Sequence, residues 1–263
     1  MKKLRFLAPV LFVLSCTKQS TNELISTAHP VTKPAECTID IAAVRAAIDL
    51  RAKWPDATSI RRKPAPTPTT SPTTSGYSCI YIDFDGQTVN SPYWNNGNTL
   101  QCYPSGLTID QMAAVVTKVT AEYSLYNVTI TSNESIFLAA NPAMRIRVIV
   151  TPTSAWRTGV SGITYTGSFS WGDGTPCFVF SDRLYNDPSF VGEIVSHEAG
   201  HSLGLNHQSD YDLNCNLVNA YRQGVTMGSA FNVAQGVWTY GTSTSCSTYQ
   251  NDNQVLTAKL GLK

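Results

Sequence analysis

Charge is scarce in this chain: of 263 residues only 14% are Asp, Glu, Lys or Arg, and the formal net charge is +1. Nucleic-acid binding needs clustered lysine and arginine to replace the counterions around phosphates, and no such stripe is present, so nucleic acid is excluded as a partner. No Cys-x-x-Cys pair occurs among the seven cysteines, which argues against a zinc site made of thiolates. Histidine is rarer still, at four residues. No internal repeat is visible. What remains is 42% hydrophobic content, enough for one good-sized core with extensions.

The first sixteen residues, MKKLRFLAPVLFVLSC, combine three basic residues with an apolar stretch from Leu4 to Leu14. That stretch is too short to span a bilayer and reads as an export signal. Its ending, Leu14-Ser15-Cys16, resembles a bacterial lipobox, which implies lipidation of Cys16, a membrane-anchored lipoprotein and a location facing the periplasm or cell surface; plain secretion is the alternative. Setting Cys16 aside leaves an even set, Cys37, Cys79, Cys102, Cys177, Cys215 and Cys246, suited to three disulfides in an oxidising compartment. Sequence does not choose the pairing, although Cys215 with Cys246 would staple one segment near the C-terminus. Cys37 has a second reading, as a thiolate that holds a metal site inactive, but this leaves an odd number of other cysteines.

Residues 17–62 read as a polar tether followed by a short amphipathic helix, Thr38–Lys53, which can either pack on the main domain or serve as a small propeptide. The run KPAPTPTTSPTTSG, Lys63–Gly76, is a Pro/Thr/Ser-rich linker, and the main domain is expected over 77–263. Within it, alternation and β-branching predict strands at Cys79–Phe84, Val128–Thr131, Met144–Val150, Gly162–Thr166 and Cys177–Phe180. Helices are predicted at Thr108–Tyr123, Ser189–Leu203 and Asn253–Leu260. Strands that alternate with helices indicate an α/β layer arrangement. Asp83 and Asp85 read as a strand end and turn rather than a cation site.

The second domain helix ends in His197-Glu198-Ala199-Gly200-His201-Ser202-Leu203-Gly204-Leu205-Asn206-His207, which holds three of the four histidines. His197 and His201 lie one helical turn apart on one face, so both imidazoles can reach a single ion. Gly204 can adopt a positive φ, which stops the helix and bends the chain so that His207 reaches the same ion. Three neutral histidines leave one position of a tetrahedral Zn2+ open, as a catalytic site requires. Glu198, one residue beyond the first ligand, is placed to act as general base on water and then to return the proton to a leaving amine.

This extended pattern, followed by Val225-Thr226-Met227-Gly228, resembles the zinc-binding signature and Met-turn of the metzincin peptidases. Weaker likenesses, YIDFDG, GITYTG, PCFVF and the late QND helix start, extend it over residues 77–263. The resemblance implies a twisted, mostly parallel α/β (α+β) sheet with an antiparallel edge strand, an active-site helix, and a C-terminal subdomain with Met-turn and closing helix. It implies that Met227 floors the zinc site without ligating it, and that an extended peptide adds to the edge near Gly162–Thr166. Some metzincins place a tyrosine two residues after that methionine; here Ser229 stands there, and nothing in the sequence assigns the role to Tyr240 or Tyr249. The expectation is therefore a monomeric zinc metalloendopeptidase acting on extracytoplasmic proteins or peptides. The alternative is a surface binding module on an inactive peptidase scaffold.

Overall fold

The structure is a computed structural model that describes residues 34–37, 77–231 and 233–263. The expected lipidation site Cys16, the helix Thr38–Lys53 and the linker Lys63–Gly76 lie outside the described residues. Among the described residues no helix is long and apolar enough to cross a membrane.

A six-stranded mixed sheet organises the domain. In chain order the strands are β1 (Ala35–Cys37), β2 (Ser78–Asp83), β3 (Thr88–Val89), β4 (Leu100–Gln101), β5 (Val128–Thr131), β6 (Arg145–Thr151), β7 (Gly162–Thr164) and β8 (Cys177–Phe180). The main sheet runs β1-β7-β8-β6-β2-β5, and β3 with β4 forms a separate ribbon. Strands β5, β2, β6 and β8 are mutually parallel, while β7 runs antiparallel to β8. The predicted mostly parallel sheet with an antiparallel strand is thus present. It continues one strand further than expected, because β1 pairs antiparallel with β7 and becomes the edge.

Side-chain alternation explains the layering. On β8, Cys177 and Val179 enter one apolar cluster while Phe178 and Phe180 enter another. On β2, Ile80 and Ile82 face the first cluster, and Cys79 and Tyr81 face a third that contains Phe137. The first cluster is closed by helix α1 (Ile109–Glu122) through Val115 and Val119, and by helix α3 (Pro188–Ser202) through Phe190, Val191, Ile194 and Val195. Between them in sequence lies the short helix α2 (Glu134–Ala139), and the chain ends in α4 (Asp252–Leu260). The opposite face carries aromatics, with Trp94 edge-on to Phe178 at 5.3 Å between ring centres and Trp156 at 5.1 Å from the same ring.

Helix ends follow local chemistry. Thr108 caps α1 reciprocally with Gln111: the Thr108 hydroxyl accepts from the Gln111 amide, and the Gln111 side chain accepts from the Thr108 amide. Asp187 caps α3 by accepting from the amides of Ser189 and Phe190, with Pro188 in the first helical position. Asp83 accepts from Arg147 at 2.6 Å and from the Asp85 amide at 3.1 Å, which is the turn reading of that pair.

The expectation of three disulfides is corrected. Cys215 and Cys246 are joined, as anticipated for that pair, but Cys79, Cys102 and Cys177 are free. The reason is topological: the three lie in three different apolar clusters, Cys177 on one face of the sheet and Cys79 and Cys102 in separate clusters on the other. They pack as small hydrophobes, and burial pushes the Cys79 and Cys102 thiols up to about 12. The Cys37 side chain lies outside the described residues. The Cys215–Cys246 disulfide suits an oxidising, extracytoplasmic environment.

Candidate metal centre

Helix α3 carries His197 and His201 on its final turns and stops just beyond them. The Gly204 amide donates to the His201 carbonyl at 2.9 Å and the Leu205 amide to the Gly200 carbonyl at 3.1 Å. Gly204 has φ +107°, a value that L side chains rarely adopt, so the glycine permits the turn that brings His207 back.

The three imidazoles converge through their Nε2 atoms. His207 Nε2 lies 3.0 Å from His201 Nε2 and 3.1 Å from His197 Nε2. The other ring nitrogens are fixed from outside: His197 Nδ1 donates to the Thr226 carbonyl at 2.6 Å and His201 Nδ1 to the Leu205 carbonyl at 2.7 Å. A carbonyl can only accept, so Nδ1 carries the hydrogen in both rings and the Nε2 lone pairs point inward. Lone pairs this close repel unless a proton or a cation lies among them.

Protonation is disfavoured. Burial, aided by the neighbouring His207, pulls His197 down to about 3; burial alone pulls His207 down to about 4; and His201 falls well below the usual histidine range for the same first cause. A metal ion is then the group that fits. Ligand atoms about 2.1 Å from a tetrahedral ion stand about 3.4 Å apart, within about half an ångström of the distances seen here. The predicted triad is therefore assembled and could hold a metal ion.

Glu198 sits beside it, 0% exposed. Burial raises its pKa well above the ordinary carboxylate value, opposed by the Thr164 hydroxyl on β7. Neither carboxylate oxygen meets a further hydrogen-bond partner among the described residues. Space for this carboxylate comes from β7: a Cβ on Gly162 would lie 2.5 Å from Glu198 Oε1. A buried carboxylate of raised basicity beside three neutral imidazoles is what a site that activates water would need.

Met227 is fully buried, and its Sδ lies 2.7 Å from where a Cβ would stand on Gly200. It packs against the helix backbone at Gly200, the residue before His201, with Trp238 alongside. Its carbonyl accepts from the Gln208 amide at 2.7 Å, and the next residue upstream, Thr226, holds His197. The two stretches of chain on either side of the triad are thus tied together by backbone hydrogen bonds.

Several contributors were not legible in the sequence. Thr226 and Leu205 act through backbone carbonyls, which no side-chain motif reports. Tyr221 stands edge-on to His207 with ring centres 4.9 Å apart, and no spacing rule pointed to it. Tyr240 and Tyr249 instead stack on each other at 5.6 Å. No protein-family model matches this chain, and no curated protein matches it either.

Proposed function

We propose that this chain is a zinc-dependent metalloendopeptidase of the metzincin type, exported, anchored through a lipidated Cys16, and acting as a monomer on extracytoplasmic proteins or peptides. The observation that carries the reading is the convergence of three inward-pointing Nε2 atoms beside the fully buried Glu198 carboxylate. His197, His201 and His207 would hold one zinc ion, which when bound polarises the scissile carbonyl and acidifies water.

The chain's own groups supply the rest. Glu198, raised in basicity by burial, takes the proton from attacking water and delivers it to the departing amine nitrogen. Thr226 and Leu205 orient the rings through their carbonyls, as outer hydrogen bonds do for metal-bound histidines generally. Gly162 and Thr164 border the base on the strand where an extended substrate would add by main-chain hydrogen bonds. Specific side-chain pockets would then select among substrates.

The test compares casein hydrolysis by the chain and by Glu198→Ala, over long incubations, with metal content measured alongside. Both should hold about one zinc per chain, and the variant's rate should fall by at least 10²-fold, on the order of a general base's contribution. If both hold zinc and neither cleaves casein or a broad peptide library, the peptidase reading fails and a binding module on the same scaffold takes its place.

A further inference from the structure

The sheet edge beside the candidate base is already occupied by this chain's own N-terminal region. Strand β1 pairs antiparallel with β7, Ala35 opposite Thr164, Glu36 opposite Ile163 and Cys37 opposite Gly162. Gly162 is the residue whose missing Cβ makes room for the Glu198 carboxylate, and Thr164 faces that carboxylate. The occupant's backbone therefore runs alongside the two β7 residues that border Glu198. A side-chain clamp fixes its register: Glu36 forms an ion pair with Arg157, which belongs to the loop between β6 and β7. Arg157 is itself steadied, because its amide donates to the Ser154 carbonyl and the adjacent Trp156 donates from Nε1 to Thr153 while packing on Phe178 and Phe180.

Local preference does not explain this strand. Ala-Glu-Cys has little β-propensity, and three residues of ladder are too few to be stable alone. Its partner lies 125 or more residues away in sequence. The complementary charge and the free backbone groups of β7 are what hold it. An extended segment on a sheet edge is the same recognition mode by which a peptidase would take a peptide substrate.

We propose that Ala35–Cys37 is a tethered occupant of the substrate edge, clamped by Glu36 and Arg157, and that it keeps the full chain largely latent. The inference rests on the peptidase reading and adds its regulation. Because the ladder is short, the strand leaves often enough for slow hydrolysis to continue, and loss of the clamp increases the fraction of time the edge is free. A substrate strand must displace β1 before it can lie beside Glu198.

The experiment uses the full chain, zinc-loaded, with Glu36→Arg, Arg157→Glu and the double variant that exchanges the two charges. Casein hydrolysis is measured, together with hydrogen-exchange protection of the β7 amides at residues 162–164. Each single variant should raise the rate on the order of fivefold, the reach of one part-exposed ion pair, and lower the protection; the double variant should restore both. A milder Glu36→Ala should move both readouts in the same direction. Unchanged rate and protection in the single variants would overturn the proposal. So would a lower rate in Arg157→Glu with no change in Glu36→Arg, which would assign Arg157 to the substrate instead. If protection shifts as expected but no form hydrolyses casein, what fails is the peptidase reading, and latency with it, while the place of β1 on β7 stands.

Discussion

Glu198 depends on two β7 residues, and each gives a separable prediction. A Cβ at Gly162 would stand 2.5 Å from Glu198 Oε1, so Gly162→Ala must push the carboxylate aside while leaving the histidines untouched. Hydrolysis should fall by roughly 10–100-fold with metal content unchanged, because a general base displaced by a fraction of an ångström loses its alignment. Loss of metal in parallel with activity would show that the glycine serves the fold rather than the base. The Thr164 hydroxyl favours ionised Glu198 and so opposes the upward effect of burial. In Thr164→Val that opposition is gone, the carboxyl's pKa rises further, and the fraction of ionised base at a given acidic pH falls. The acidic limb of the pH–rate profile should therefore move to higher pH, as read from kcat/KM between pH 5 and 8. No movement, or movement to lower pH, would remove Thr164 from the site.

At the scale of elements, α1 and α3 are bolted together by a buried lysine between two glutamates. Lys118 Nζ lies 2.8 Å from Glu122 and 2.9 Å from Glu193, all almost fully covered. Burial and then the Glu122 charge push Glu193 up to about 8, even though Lys118 pulls the other way. The ion-pair distance and the raised pKa look contradictory, and they are reconciled by one cation shared between two carboxylates, which leaves one of them protonated near neutrality. Unfolded, Glu193 returns to about 4.5. Between pH 4.5 and 8 the folded chain therefore binds a proton that the unfolded chain does not, so this group's contribution to stability declines as pH rises and levels off above 8. Glu193→Gln needs no such proton. Its stability relative to the parent should climb by roughly 1–3 kcal/mol from pH 4.5 to 8, measured by urea unfolding at fixed ionic strength. A constant difference across that range would show Glu193 to be ionised throughout. This network was invisible in the sequence because its members are far apart in the chain and only Lys118 and Glu122 share helical spacing. The same reasoning separates what was legible from what was not. Strands such as Val128–Thr131 and Cys177–Phe180 announced themselves by composition, and α3 by its histidine spacing, since both signals are local. The β1 pairing and the separation of Cys79, Cys102 and Cys177 among three clusters are products of topology, which periodicity does not encode.

For the molecule as a whole, the segment after α3 has little regular structure to hold it. It comprises the ribbons β9 (Asp210–Tyr211) with β10 (Leu217–Asn219) and β11 (Tyr240–Thr242) with β12 (Tyr249–Asn251), followed by α4. Yet it must keep His207 in place. Ser243 Oγ donates to the His207 carbonyl at 2.9 Å, the Ser209 amide donates to the Thr242 carbonyl at 3.1 Å, and Gln208 Nε2 donates to the Thr239 carbonyl at 3.0 Å. All three far-side partners lie within seven residues of Cys246, whose bond to Cys215 closes a loop with a sequence separation of 31. Closing a loop of that length removes unfolded-chain freedom worth about 3–4 kcal/mol. In the folded chain the bond also limits how far the 239–243 stretch can drift from the third metal ligand. Replacing both cysteines, Cys215→Ala with Cys246→Ala, should thus lower the urea midpoint by an amount equivalent to about 3–4 kcal/mol. It should also weaken metal retention against a competing chelator more than it weakens the packing of α1 on the sheet. The chelator titration and near-ultraviolet circular dichroism, run on the same samples, distinguish the two effects. If stability drops but chelator resistance does not, the disulfide serves the unfolded-state entropy alone and His207 is positioned without it.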